Sequence, residues 1–236
     1  MGLIIVAAGS ASRMMGVDKI FLPVLGVPLL AYSVEALSSS PLVGSFVLVL
    51  ASHNVAAGER LASERGWDKL AGVCEGGARR QDSVKQGLDK LSAYPWVAVH
   101  DGARPLPGSG ILERGLQAAK ETGASVAAVP AKDTVKVVSD DGLVESTPPR
   151  SSLWMVQTPQ VFAYDILESA HRTCTESFTD DAAMVESMGH KVRVFEGSYA
   201  NLKVTTPEDL PMVEAALKAG TSGKVQEALQ GGMTKR

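Results

Sequence analysis

The residues best able to do chemistry lie near the start of the chain, in Ala7-Ala8-Gly9-Ser10-Ala11-Ser12-Arg13, with Lys19 a little further on. Small side chains let backbone N–H groups come close to phosphate oxygens, and Arg13 and Lys19 add positive charge. That combination suits a nucleotide's phosphate chain, although spacing alone leaves an ordinary strand-end loop equally open. Two familiar phosphate loops are excluded by single letters. No Gly-Lys-Ser/Thr follows, so this is not a Walker loop, and Gly9-x-Ala11-x-x-Met14 lacks two glycines of the dinucleotide fingerprint. A second candidate is Asp101 with Arg104, opposite charges just past an apolar run, which either face a ligand or pair with each other. The four histidines (His53, His100, His171 and His190) form no nucleophile or metal set, and Cys74 and Cys174 have no CxxC spacing. Both cysteines read as core residues.

These candidates need a scaffold, and the chain supplies a βαβ rhythm. Short aliphatic runs at 3–8, 45–51, 72–75, 96–100, 125–129 and 191–196 predict strands. Helical periodicity predicts helices over 28–38, 55–65, 81–91, 108–122, 164–175, 180–188 and 207–219, with Pro28 and Pro207 in first turns and Thr179-Asp180 as a start signal. Continuous apolar strands joined by crossover helices imply a doubly wound, mostly parallel sheet covered on both faces, a Rossmann-like α/β core. Ligands then belong at the carboxyl ends of the strands. The second predicted strand ends in Ser52-His53, not in the acid that would hold a dinucleotide's ribose.

One stretch breaks the rhythm. Residues 133–139 and 143–146 flank Asp140-Asp141-Gly142, which reads as a β-hairpin protruding as an arm within about 131–155, a plausible dimer contact. Residues 220–236 are rich in Gly, Ser, Thr and Lys and are expected to be a mobile tail behind a single domain over 1–219. The whole chain of 236 residues carries 23 Lys plus Arg against 26 Asp plus Glu and is 45% hydrophobic, so it reads as an ordinary globule. A net charge of −3 argues against nucleic acid held by bulk electrostatics. No apolar run approaches the roughly 18 residues that cross a bilayer, and no targeting segment stands at the start, so the expected location is the cytoplasm.

Longer motifs narrow the reading. Ala7-Ala-Gly9 with Arg13, Lys19 and Phe21-Leu22 resembles the opening of the sugar-phosphate nucleotidyltransferases. In order along the chain follow Glu75-Gly-Gly-Ala-Arg-Arg80-Gln-Asp-Ser83, Val99-His-Asp101-Gly-Ala-Arg104-Pro, Asp133-Thr134-Val-Lys, Gln157-Thr158-Pro-Gln, Phe178-Thr179-Asp180-Asp and Asn201-Leu-Lys203-Val-Thr205-Thr-Pro-Glu-Asp209. Together they resemble the 2-C-methyl-D-erythritol 4-phosphate cytidylyltransferase family. The resemblance implies a Mg²⁺-dependent homodimer that transfers CMP from CTP to methylerythritol phosphate in the non-mevalonate isoprenoid pathway. It implies that Arg13 and Lys19 contact the CTP phosphates, that Mg²⁺ is held mainly by those phosphates with no assigned protein ligand, and that Ala7, Ala8 and Gly9 line the nucleotide. Gly77, Ala78 and Ser83 would read the cytosine edge and Arg104 would lie near the ribose. Asp101, Thr158, Thr179 and Thr205 fall on the acceptor's side. Arg150 and Lys203 would hold its phosphate, with Arg150 and Thr134 reaching across the dimer from the arm.

The chain departs from the family pattern at Ala11 for Gly, Ile20 for Gln, Gly102 for Ala and an Arg13 to Lys19 spacing one residue tighter than in some members, and none of these removes a charge. The implied chemistry is physically coherent. A phosphomonoester's second pKa is about 6, so the acceptor is already a nucleophile at neutral pH and no general base is required. The protein's task is to hold two polyanions and the charge that grows during in-line displacement, which cations do. Transfer to another pentitol phosphate such as ribitol 5-phosphate shares most motifs. A nucleotide binder without catalysis is a further alternative, and a nicotinamide oxidoreductase is disfavoured by the missing glycines and acid.

Overall fold

Aliphatic runs and amphipathic stretches alternate into three layers, helices on each face of one central sheet. The computed structural model describes residues 1–9 and 18–231, with 221–231 described by backbone alone. In chain order the elements are β1 (Gly2–Ala7), β2 (Pro23–Val24), β3 (Val27–Pro28), α1 (Leu29–Ser38), β4 (Ser45–Leu50), α2 (Val55–Arg65), β5 (Leu70–Glu75), α3 (Arg80–Leu88), β6 (Trp96–Asp101), α4 (Ile111–Thr122) and β7 (Ala124–Pro130). Then come β8 (Val137–Val138), β9 (Val144–Ser146), β10 (Trp154–Ala163), α5 (Tyr164–Thr173), α6 (Asp181–Ser187), β11 (Arg193–Glu196) and α7 (Asp209–Gly231).

The seven-stranded sheet has the order β11-β7-β10-β6-β1-β4-β5. Its pairings are parallel except that β10 runs antiparallel to both β6 and β7. Along β1 and β4, alternate residues serve opposite faces. Leu3, Ile5, Phe46 and Leu48 pack under α1, α2 and α4, while Ile4, Val6, Val47 and Val49 pack under α3, α5 and α6. Burial on both faces is why these strands read as unbroken apolar runs, and each fully buried aliphatic side chain contributes about 1.5–3 kcal/mol. The chain leaves β1 toward β4 and β5, then returns to β6 on the other side of β1. Loops at the carboxyl ends of β1 and β6 therefore diverge, opening the crevice of a doubly wound sheet.

Four differences from the sequence expectations have physical causes. The longest strand, β10, carries no strand signal because Pro159 interrupts it, and proline normally excludes a central position. Here the register shifts between Val156 and Gln160, so the proline sits in an irregularity where no ladder N–H is needed. Thr179 is not the cap of α6: Asp180 is, its carboxylate accepting the Ala183 N–H at 2.8 Å. Cys74 and Cys174 are free thiols half-buried at the margin of one core, not inside it. Helix α7 runs past Ala219 to Gly231, so the stretch expected to be a tail is helical to that point, and 232–236 lie outside the described residues. Its Leu210, Val213 and Leu217 pack with Val24, Leu29 and Val204 in a satellite core beside the β2–β3 hairpin.

The arm forms as its Asp-Gly turn implies. Strands β8 and β9 make their own two-stranded antiparallel sheet, closed by the Gly142 N–H donating to Ser139 O at 2.9 Å. Among the described residues no helix is long and apolar enough to cross a membrane.

Candidate active site

A cavity of about 520 Å³ opens at the carboxyl ends of β1, β4, β5 and β6. It gathers Ala7, Ala8, Gly9, Lys19, Gly77, Ala78, Ser83, Asp101, Lys203 and Thr205 from the sequence-predicted set. Close packing forms its floor. A Cβ at Gly102 would stand 2.8 Å from the Ala7 Cβ, so the glycine lets the end of β1 and the segment after β6 pack closely here.

One wall is the return of the first loop. Arg13 lies outside the described residues, but Asp18 and Lys19 are placed on the cavity. Lys19–Phe21 is a single 3-10 turn whose Ile20 is 2% exposed and inserted into the α1-side core. This apolar side chain thus anchors Lys19 from behind. Asp18 accepts a hydrogen bond from Asn54 and stands 3.6 Å from His53, fastening the loop's end to the turn after β4.

The opposite wall is the turn from β5 into α3. A side chain at Gly77 would collide with Asp82, 2.3 Å away. Ser83 is 2% exposed, accepts the Gly77 N–H at 3.1 Å and donates to Arg79 O at 3.2 Å. Asp82 accepts the Arg79 N–H at 3.0 Å and caps the helix. The turn is held from inside, which leaves the backbone of Gly77 and Ala78 facing the cavity.

Asp101 is the hub. Its Oδ2 is 2.7 Å from Lys203 Nζ and 3.8 Å from Arg104 Nε, and its Oδ1 is 3.4 Å from Arg80. Burial would raise the carboxyl's pKa, but Arg80, Lys203 and Arg104 outweigh it and hold Asp101 well below the usual carboxylate range. Arg104 does not line the cavity. Its Nη1 donates to Asn201 O at 2.7 Å, and burial pulls its own pKa below the usual arginine value.

Beneath Asp101 a chain of hydrogen bonds fixes one proton arrangement. The Asp101 N–H donates to Thr158 Oγ1 at 3.0 Å, and His100 Nε2 lies 3.0 Å from Arg104 O, which only accepts. His100 therefore carries its proton on Nε2, and Thr158 donates to Nδ1 at 3.1 Å. Burial pushes His100 from 6.5 down to about 4, so it is neutral around pH 7. Thr158, expected beside the acceptor, is 4% exposed with its hydroxyl committed on both sides. Its neighbours in the same motif act likewise. Gln157 holds the loop before Lys203 through Ser198 and Asn201, and Gln160 accepts the Ala182 N–H and binds Asp180 at the start of α6.

The remaining expected residues divide. Thr205 lines the cavity while donating to Asp209 Oδ2 at 3.0 Å. Thr179, Thr134 and Arg150 are exposed and line no part of this cavity, and Arg150 donates to Lys132 O at 2.7 Å on the arm. Sequence reasoning missed Arg80, although it stands inside a quoted motif. Its partner Asp181 Oδ2, 2.5 Å away, is 101 positions distant, a pairing no local pattern could reveal.

Similarity to known proteins agrees with this geometry. The model of the 2-C-methyl-D-erythritol 4-phosphate cytidylyltransferase family matches residues 1–219. A protein of that name from Dehalococcoides mccartyi strain 195 is 48% identical over 219 residues, 93% of this chain and 96% of its own. One from Geobacter metallireducens is 42% identical over 224 residues, 91% of this chain and 96% of its own. The solved 4-diphosphocytidyl-2C-methyl-D-erythritol synthase of Anaerococcus prevotii superposes with a TM-score of 0.82 at 28% identity, covering 92% of this chain and 95% of that one. The Thermus thermophilus cytidylyltransferase gives 0.73 at 31% identity, covering 92% and 98%. With these cations gathered on the crevice and a match along nearly the whole chain, the protein belongs to the 2-C-methyl-D-erythritol 4-phosphate cytidylyltransferase family.

Proposed function

We propose that the chain transfers CMP from CTP to 2-C-methyl-D-erythritol 4-phosphate, giving 4-diphosphocytidyl-2-C-methyl-D-erythritol and pyrophosphate in the non-mevalonate isoprenoid pathway. The observation that carries this reading is that Lys19 and Lys203, from distant parts of the chain, line one cavity with the backbone turn at Gly77-Ala78. An acceptor phosphate oxygen forms the new bond to the α-phosphorus as the bond to the pyrophosphate oxygen breaks, and no proton need move. Lys19, with Arg13, would meet the triphosphate, and Lys203 the acceptor's phosphate. Asp101, ionised, would accept from polyol hydroxyls. The Gly77-Ala78 backbone would pair with the cytosine edge.

Mg²⁺ would neutralise triphosphate charge as pyrophosphate departs. The buried carboxylate of the cavity is already turned toward Arg80 and Lys203, so the ion fits as a passenger on the nucleotide's phosphate oxygens. The working unit in this reading is a cytoplasmic homodimer joined through the arm, whose Arg150 and Thr134 complete the partner's cavity. Support comes from the arm's apolar surface: Leu143 is 66% and Val144 58% exposed, beside exposed Trp154 and Met155.

The test is pyrophosphate release with CTP and Mg²⁺, comparing methylerythritol phosphate, ribitol 5-phosphate and no acceptor, with UTP and ATP as controls. Release confined to CTP with methylerythritol phosphate is expected. Release with ribitol phosphate instead would overturn the acceptor, and CTP binding without turnover would favour a non-catalytic binder. Light scattering that returned a monomer at assay concentration would overturn the dimer.

A further inference from the structure

We propose that Arg80 is a positioning residue of the transfer reaction, a fixed cation that keeps Asp101 ionised and aligned when Lys203 turns to the acceptor's phosphate. The inference rests on the function proposed above for the same cavity. Without ligand, Lys203 satisfies Asp101 at 2.7 Å, but its side chain is 41% exposed and ends in a rotatable ammonium. An arriving phosphate dianion competes for that ammonium. Asp101 would then lose its closest countercharge while remaining 11% exposed.

The other groups facing Asp101 show which of them can take over. Arg104, from the segment after β6, holds Asn201 O through Nη1, and its buried Nε, which makes no hydrogen bond, approaches Asp101 only to 3.8 Å. Thr158 on β10 serves the Asp101 backbone, and His100 on β6 is neutral near pH 7. Arg80, in the first turn of α3, presents Nε and Nη2 side-on to Asp101 Oδ1, both at 3.4 Å. Its opposite prong is clamped to Asp181 Oδ2 at 2.5 Å. Asp181 on α6 is wholly buried, with His171 Nε2 of α5 at 3.4 Å on its other oxygen. Asp180 adds a further negative charge near Arg80. A guanidinium anchored in this way cannot follow a substrate, so it stays with Asp101 through the catalytic cycle.

The test compares Arg80→Gln and Arg80→Lys with the native enzyme across pH. Arg80→Gln is expected to raise KM for methylerythritol phosphate by about tenfold or more, the worth of one charged hydrogen bond, with a much smaller change in KM for CTP. The Asp101 carboxyl titration, followed by NMR in the resting enzyme, should move upward, and Arg80→Lys, which keeps the charge, should move it back. Asp181→Asn loosens the anchor yet leaves the charge on Arg80, so it should raise acceptor KM without moving the Asp101 titration upward, and it serves if Arg80→Gln does not fold. Equal increases in both KM values in Arg80→Gln would overturn the proposal. Carboxyl NMR of the resting enzyme, with Asp101→Asn identifying the resonance, separates this from a wrong acceptor. An upward shift of the Asp101 titration in Arg80→Gln supports the coupling whichever polyol phosphate reacts, and an unchanged titration sinks it.

Discussion

The platform under Asp101 and the hairpin arm are two ways of holding charge. Around Asp101, side chains from β6, α3, β10, α6 and the segment after β11 are tied to one another within one chain, with Asp101, Thr158 and Asp181 buried. The arm carries Thr134 and Arg150 among exposed apolar residues, and Arg150's resolved contact is to the arm's own backbone. A buried polar network is rigid because each member is costly to leave unpaired. An exposed two-stranded hairpin gains little from its own chain. The cavity is thus built within one chain, while the arm leaves its apolar side chains exposed.

The largest effects should come from removing cations. Lys19→Met and Lys203→Met are each expected to lower kcat by about 10²–10³ or more, the usual loss for one electrostatic contact at a reacting centre. Near-native turnover in both would remove the cavity from the chemistry. The comparison sharpens if Arg150→Met, on the arm, is comparably impaired and is then mixed with Lys203→Met. If the arm acts in trans, subunit exchange should restore about a quarter of native activity, since half the dimers are mixed and one site in each is intact. No recovery after verified exchange would break the contrast between the regions.

Stability effects are smaller. Thr158→Val leaves the Asp101 N–H and His100 Nδ1 without partners in the platform, and denaturant titration should show a loss of about 1–3 kcal/mol. His100 predicts a pH dependence of definite sign. Its folded pKa of about 4 lies below the unfolded 6.5, so only the unfolded state takes up the proton between them. Unfolding free energy should fall as pH drops through that window, by up to about 3 kcal/mol, and His100→Gln should flatten that slope. The smallest effect belongs to the arm. Leu143→Ser should leave monomer stability within about 0.5 kcal/mol while weakening self-association in light scattering, and a large drop in stability would mean the arm packs on its own core after all.

Much of this was readable in the residues. The βαβ rhythm, the arm's Asp-Gly turn and the small-residue loop ending at Lys19 are local patterns, and backbone sterics with burial periodicity make such patterns informative. Strand β10 was hidden because Pro159 vetoes a central strand locally, and only the shifted pairing with β7 accommodates it. The part played by Gln157, Thr158 and Gln160 was hidden for a related reason. Their partners Ser198, His100 and Ala182 stand far off in sequence, so polar side chains that look available to a ligand are consumed as supports.

By itself, the sequence determined the layered α/β core, the end of the sheet where ligands go, and the charges available there, because each depends on residue type and short-range spacing. The tertiary structure alone decided which charges meet. Lys203 reaches Asp101, and Arg80 spans from Asp101 to Asp181, only after the sheet closes the separation between them. Electrostatic coupling depends on distance in space and on the water excluded between groups, and both are set by packing.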